Sequence, residues 1–207
     1  MERLRVSPTK SNLIRLRDEL VFAREGKELL TQKREVLVAE LLRLHDDAVK
    51  VREDLDKLLD AGYRVFTDAA MLDGFSALKR MALGAPQGPE VKIQERSIMG
   101  VVVPLVERNA PREWRPVIGL AGGSIAADRA ARLFLEVVDK LLEVAEIETA
   151  IYRLAMETRK TLRRERALEN QLIPQYAETV QFIQESLEER EREGFYQLKL
   201  LKGKRES

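Results

Sequence analysis

The chain has 207 residues, of which 34% are charged, 44% hydrophobic and only 5% aromatic, and its charges nearly cancel at net +1. Near-neutrality argues against a nucleic-acid binder, which should be basic as a whole, and the lack of cysteine excludes a disulfide framework and thiolate zinc chemistry, in keeping with a cytosolic setting. No signal peptide opens the chain, and its longest apolar stretch, Ile98 to Val106, is broken by Gly100 and Pro104 and falls far short of the ~20 residues a membrane span needs.

The first predicted element is a helix with Ser7 as N-cap and Pro8 at the first helical position, where a missing N–H costs nothing. Taking a and d alternately from Leu13, the heptad positions are Leu13, Leu16, Leu20, Ala23, Lys27, Leu30, Arg34, Leu37, Leu41, Leu44, Ala48, Val51, Leu55, Leu58, Gly62, Val65, Ala69 and Leu72. Only Lys27, Arg34 and Gly62 break the series. An ordinary globular helix leaves a 3.5-residue repeat within about two or three heptads, so this run specifies a coiled coil. Gly84, Pro86, Gly88 and Pro89 mark its end.

Between Glu90 and Val106 the composition turns β-branched, with Val91, Ile93, Ile98, Val101, Val102, Val103, Leu105 and Val106, and a second short run, Val117 to Leu120, follows Pro116. A small β-hairpin is the economical reading. Because an isolated two-stranded ribbon is marginal in water, it is expected to lean on the helix ends beside it, covered by Trp114 or Phe75.

A second helix is predicted after Gly122 and Gly123, capped by Ser124 and running to about Gly203. Its apolar positions, Ala131, Phe134, Val138, Leu141 and Ala145, then Ile147, Ile151 and Leu154, then Leu168 and Leu172, then Tyr176, Val180, Ile183 and Leu187, change phase several times. Pro174 lies inside it and frees the carbonyl of Asn170, so a local kink or bulge is expected there.

Two arms of similar length around a short middle specify an all-α dominated fold, a long antiparallel two-helix coiled coil with a small β-hairpin knob. The divisions are an N-terminal arm over 1–82, a knob over 83–123 and a C-terminal arm over 124–207. Such a hairpin is on the order of 100 Å long, with both termini at one end. Matching the arm ends at the knob pairs Leu37 with Leu168, Gly62 with Val144, and Pro174 with Gln32 and Lys33, and leaves the second arm about five residues longer at the termini.

Catalytic patterns are poor. The only histidine, His45, sits on a charged helix with no cysteine or second histidine to join it, and reads as solvated surface. The runs Gly84–Gly88 and Gly119–Gly123 lack the Gly-Lys-Ser/Thr ending of a P-loop. Carboxylates at Glu185–Glu193 alternate with Arg190 and Arg192 as on a solvated helix face. No catalytic, cofactor or metal residue is assigned. Partner contacts are expected instead at two places. The stripe Leu59, Tyr63, Phe66 and Ala70, continued by Met71, Phe75 and Leu78, is expected under the hairpin, any uncovered part docking a partner. The basic termini, with Lys10 at one and Phe195, Lys199 and Lys202 at the other, form a charged tip.

Pro8-Thr9-Lys10-Ser11-Asn12-Leu13 and Leu29-Leu30-Thr31-Gln32-Lys33-Arg34-Glu35-Val36-Leu37 resemble the opening helix of the D subunit of the V-type/A-type rotary ATPases. Arg163 to Glu169, the pair Ile173-Pro174, and Leu187 through Glu193 to Phe195 and Lys199 resemble its closing helix. Thr31, Glu165-Arg166 and Gly194 depart from that family's commoner residues. The resemblance implies a non-catalytic central rotor shaft, similar in role to the gamma subunit of F-type synthases, which couples ATP hydrolysis or synthesis to rotation of the membrane ion-translocating ring. It implies termini held in a ring of catalytic A and B subunits. It also implies a knob end held with the F subunit on a funnel-shaped subunit above the membrane ring, a cytoplasmic location peripheral to the membrane, and no bound nucleotide or other cofactor. A prefoldin-like chaperone, also helix, hairpin, helix, and a generic coiled-coil tether are the alternatives from other classes.

Overall fold

A computed structural model describes residues 4–83, 91–108 and 124–205. Its elements are α1 (Lys10–Asp73), α2 (Phe75–Ala82), β1 (Val91–Ile98), β2 (Val101–Arg108), α3 (Ile125–Ala167), a π-helical turn (Leu168–Leu172) and α4 (Ile173–Arg205). The coiled coil with a small hairpin is thus realised. The expectations placed on Gly84, Pro86, Gly88, Pro89, Trp114, Val117–Leu120, Gly122 and Gly123 lie outside the described residues. The chain divides into two compact units, one of residues 1–36 and 158–207, the other of residues 37–157.

The a/d reading of α1 is met closely. Leu16, Leu20, Ala23, Leu37, Leu44, Val51, Leu55, Gly62 and Ala69 are buried, the remaining a and d residues are half-buried, and only Leu72 is exposed. The helix starts two residues later than expected. Thr9, not Ser7, is the cap: its hydroxyl accepts the Asn12 N–H at 3.3 Å, and its carbonyl receives the Leu13 N–H at 3.0 Å. At the other end α1 stops at Asp73 because Gly74 takes φ +76°, a left-handed value that lacks a Cβ penalty only for glycine. The following α2 is therefore a separate short helix.

This break resets the pairing. Ser124 caps α3 as predicted, accepting the Ala127 N–H at 3.2 Å, and donates its own hydroxyl proton to the Asp73 carboxylate. The two arms thus meet at Asp73 and Ser124, not at the end of α2. Within each unit the segments run antiparallel, but in a register five to ten residues from the end-matched one. Lys10 faces Glu191, Lys27 faces Glu169, and Gly62 faces the Phe134 ring, in place of Val144. Val144 instead packs with Val51, Leu55 and Val137.

In the 37–157 unit the hairpin supplies a third layer. β1 and β2 pair antiparallel from Val91 with Arg108 to Ile98 with Val101, joined by the two-residue turn Met99-Gly100. Both turn residues have positive φ, 50° and 80°, as the tight turns favoured in twisted hairpins require. Along β2 burial alternates: Val101 and Val103 point inward and are buried, while Val102 points out. The buried pair joins Leu37 and Leu44 of α1 and Ala150 and Leu154 of α3 in one cluster, with Leu41, Ile147 and Ile151 around it. The hairpin therefore covers the seam itself. It does not rest on Phe75, which is exposed and contacts Phe66.

Candidate partner-binding surfaces

Three regions carry the polar and apolar groups a partner could read, and each begins from a local feature of the helices. The first lies in the seam of the 1–36/158–207 unit, where Lys27 and Arg34 take the place of apolar residues. Opposite them Glu165 is almost buried, its side chain 9% exposed, and accepts hydrogen bonds from the Thr31 hydroxyl at 2.8 Å and the Arg34 Nε at 2.7 Å. One turn on, Lys27 Nζ lies 2.6 Å from Glu169 Oε1. The Thr31 hydrogen bond, then that of Arg34, holds the Glu165 carboxyl below its ordinary value near 4.5, because both stabilise the anion against partial burial. Lys27 and Arg34 thus both find carboxylates across the seam.

The π-helical turn Leu168–Leu172 follows this layer at once. The Ile173 N–H bonds the Leu168 carbonyl, five residues back. Pro174 has no N–H to offer Asn170, and widening the turn by one residue absorbs that loss, so the bulge expected at Pro174 is present as a π turn before it. Its consequence is a phase change. Extrapolating by sevens from Thr161 lands on Phe182, which is exposed, while its neighbour Ile183 is fully buried. Earlier in the arm the predicted phase is one residue off, since Val137 and Val144 are buried whereas Leu141 and Ala145 are exposed.

The second region is the terminal end. Lys10 Nζ pairs with Glu191 Oε1 at 2.8 Å, which raises the lysine's proton affinity and lowers that of the carboxylate, through the hydrogen bond first and the charge second. Arg17 donates to the Gln184 side chain at 2.8 Å and Arg190 to the Pro8 carbonyl at 3.2 Å. Residues 4–9 turn back along α4, with the Leu4 N–H donated to Thr179 Oγ1 at 3.2 Å. Beyond Glu191 no described residue of the first arm accompanies α4, which continues to Arg205. That is fourteen residues, about 21 Å of helix against the roughly 7 Å expected. This stretch exposes Phe195, 73% accessible, with Tyr196, Leu198 and Leu200, beside exposed Lys199 and Lys202. The structure thus separates Lys10, which is engaged by Glu191, from the Phe195, Lys199 and Lys202 group further out.

The third region is the stripe at Leu59, Tyr63 and Phe66. The hairpin does not cover it. Leu59 packs on the Val51, Leu55, Val137 and Val144 cluster, and Phe134 of α3 receives Tyr63 edge-on at 5.5 Å and Phe66 edge-on at 6.2 Å between ring centres. Phe75 closes on Phe66 at 6.4 Å. Tyr63 remains 57% exposed, with Met71, Leu72 and Phe75 exposed beyond it.

Sequence reasoning missed how the hairpin is held. Arg153 donates to the Val102 carbonyl at 2.9 Å, Glu146 accepts the Val106 N–H at 3.2 Å, and Arg96 lies 4.0 Å from Glu40. The only available signal was spacing: Glu146 and Arg153 are seven residues apart, so both sit on one face of α3, about 10 Å from each other. Among the described residues no cluster of three or more His, Asp or Glu is arranged to hold a metal ion, and no helix is long and apolar enough to cross a membrane. His45 is exposed.

Sequence comparison with known proteins finds relatives over nearly the whole chain. The sequence model of the family described as the ATP synthase D subunit matches residues 12–203. The V-type ATP synthase D subunit of Thermotoga neapolitana is 38% identical over 204 residues, covering 96% of this chain and 98% of that protein. The A-type ATP synthase D subunits of Thermococcus kodakarensis and Pyrococcus furiosus are each 36% identical over 203 residues, covering 97% of this chain and 95% of theirs.

Proposed function

This chain belongs to the ATP synthase D subunit family, and from that premise we propose that it is the central-stalk axle of an A/V-type rotary ATP synthase. It performs no catalysis and binds no nucleotide. It transmits torque between a ring of catalytic A and B subunits and the rotor of the membrane part, in the direction of either ATP synthesis or hydrolysis with ion transport. It works on the cytoplasmic side, peripheral to the membrane. The observation that carries the reading is the unbroken 64-residue α1, whose seam residues from Leu16 to Ala69 are all buried or half-buried. A helix that long, paired antiparallel in both units, resists bending and twisting as a transmitting element must.

On this reading the terminal end enters the A/B ring. Lys10, paired with Glu191, stiffens the paired part of that end, and the unaccompanied α4 tip carrying Phe195, Lys199 and Lys202 reaches furthest. An axle cannot rely on deep interlocking pockets, because each of three equivalent positions must be left as easily as it is entered; an apolar surface with screened charge suits this. The Leu59, Tyr63 and Phe66 face, with its exposed aromatic edge, docks the companion F subunit. The far end of the arms rests on the funnel-shaped subunit. The domain division proposed to serve these roles is 1–82, 83–123 and 124–207.

Truncation of the full chain, reconstituted with purified A and B subunits, tests the insertion end. Removal of residues after Lys202 is expected to cost little, removal after Glu193 to weaken assembly and ATP-driven rotation, and removal after Leu187 to weaken both further. Full torque and full complex stability without Phe195 to Ser207 would overturn the assignment. Serine at both Tyr63 and Phe66 is expected to weaken binding of the F subunit in the same assembly.

A further inference from the structure

The heptad explains where α1 should be apolar, and five further apolar residues fall where it should not be. With the seam at a and d, Ile14 and Val21 occupy b and Phe22, Leu29 and Val36 occupy c, positions that point away from the paired helix. All five are exposed, from 46% for Val36 to 77% for Phe22. They recur at sevens, as 14 and 21, then 22, 29 and 36, and so form one stripe along the outer face in place of the singly scattered apolar residues normal on a surface.

Carboxylates share that face. Asp18 and Glu25 at f, with Glu28 and Glu35 at b, are exposed, and among the described residues none of their carboxylates takes part in an ion pair or a side-chain hydrogen bond. Other acids of α1 behave differently. Glu19 engages Arg15, while Glu40 and Asp47 both engage Arg43. The outer b, c and f positions from Ser11 to Val36 hold these five apolar and four acidic residues, but only one base, Arg15. On a chain of net charge +1 this is a local excess of negative charge beside an apolar stripe.

We propose that this face docks amphipathic helices of a protein partner that present an apolar ridge flanked by Lys and Arg. A seven-residue apolar repeat matches a helix lying alongside better than a loop or a flat sheet, because only a helix returns a side chain to the same line at that interval. The unpaired acids select a basic partner, speed its approach, and make the contact weaken with salt. The partner's identity, a helix of an A or B subunit, rests on the axle reading above; the chemistry of the face does not.

The test uses the full-length chain and purified A and B subunits. F22S/L29S is expected to lower affinity for the ring about tenfold or more, and F22L/L29M to restore it. E25K/E28K is expected to weaken binding comparably at low salt and to flatten its salt dependence, with E25Q/E28Q intermediate. A photo-crosslinker at position 29 of the assembled complex should capture a helical A or B segment rich in Lys and Arg. Because these side chains are outside the seam, thermal melts should match the unaltered chain; if F22S/L29S melts lower, the charge pair alone decides. Wild-type affinity in both F22S/L29S and E25K/E28K, or capture of an acidic segment, would overturn the proposal. If truncation after Glu193 still impairs assembly in that case, the axle reading stands and only the face has been misassigned; if truncation too has no effect, the axle reading falls with it.

Discussion

Both units use α1 as one wall, and they close their seams by opposite means. In residues 37–157 the seam is apolar, and β2 lays Val101 and Val103 into it, so Leu37 and Leu154 are fully shielded by three elements. In residues 1–36 with 158–207 two segments must suffice among the described residues, and the middle of the seam goes to Lys27, Thr31 and Arg34 against Glu165 and Glu169. A two-helix seam buries only a strip, which leaves its centre close enough to water for charged groups to be held there at modest cost. The three-layered seam gains stability from apolar area, whereas the polar layer gains register, since the Thr31 and Arg34 hydrogen bonds to Glu165 form together in this alignment.

If that contrast is right, the largest effect comes from wetting the apolar seam. Val103→Asp would place a carboxylate among Leu37, Leu44 and Leu154 with no described donor in the cluster, at a cost of several kcal/mol. Rapid hydrogen exchange throughout Val91–Arg108, with a lowered melting temperature, is the expected result. Leu154→Ala, which leaves a cavity between three elements, should cost about 2–5 kcal/mol. A chain whose β2 amides stay protected in both variants would show that the hairpin is held by its polar contacts through Arg153, Glu146 and Arg96.

The same contrast explains what can be read from the residues and what cannot. Burial of the α1 seam is legible because a and d residues report their neighbours wherever a straight helix continues. The Ser124 cap and the hairpin are legible for similarly local reasons. Three things are not. The placement of the hairpin depends on long-range matches, Arg153 to the Val102 carbonyl and Glu146 to the Val106 amide, that no periodicity encodes. The pairing register depends on α1 ending at Gly74, a single glycine amid helix-forming residues, and an error of one short helix there displaces every facing pair. The phase of the second arm depends on a π turn, and a wider turn leaves no compositional mark beyond Pro174 itself. Of the candidate surfaces, the exposed tip at Phe195, Lys199 and Lys202 can be foreseen from apolar and basic residues past the last seam position. The stripe at Tyr63 and Phe66 is expected under the wrong cover, because periodicity assigns Phe134 to the seam and not to an aromatic edge above Gly62.

A middle-sized effect belongs to the polar layer. Glu165→Ala strands Arg34, while the Thr31 hydroxyl keeps the Lys27 carbonyl at 3.1 Å, and is expected to cost about 1–3 kcal/mol, below the range for a fully buried pair because Arg34 stays 30% exposed. Replacing both partners, Glu165→Leu with Arg34→Met, should restore most of the stability while loosening register. Cysteine pairs placed for the native alignment and for one shifted by a heptad measure this: the native pair alone crosslinks in the parent, and both should crosslink in the apolar variant. The pH dependence has a defined sign. Since folding lowers the Glu165 pKa below its ordinary value near 4.5, its contribution is fully present above that pH and is lost as pH falls through the lower, folded value. Acid melts should therefore converge, the parent and Glu165→Gln differing above pH ~4.5 and approaching each other in stronger acid.

The smallest effect, and the one that most sharpens the contrast, concerns Pro174. Two causes of the π turn are separable. If proline alone imposes it, Pro174→Ala lets the segment revert to regular α-helix, every later side chain rotates by one residue, and exposed Phe182 replaces Ile183 in the seam. If the downstream packing imposes it, with Ile183 and Thr179 already seated against the first arm, the turn persists without proline. The second is expected, because Ile183 is fully buried and unseating it would cost more than the single hydrogen bond that reversion gains. Pro174→Ala should then change stability by less than about 1 kcal/mol and leave Ile183 slow, Phe182 fast, in side-chain labelling or after cysteine replacement. Exchange of those two accessibilities in the alanine variant would assign the turn to proline. It would also make the polar layer, which sits directly before the turn, a consequence of the kink and no longer an independent lock on register.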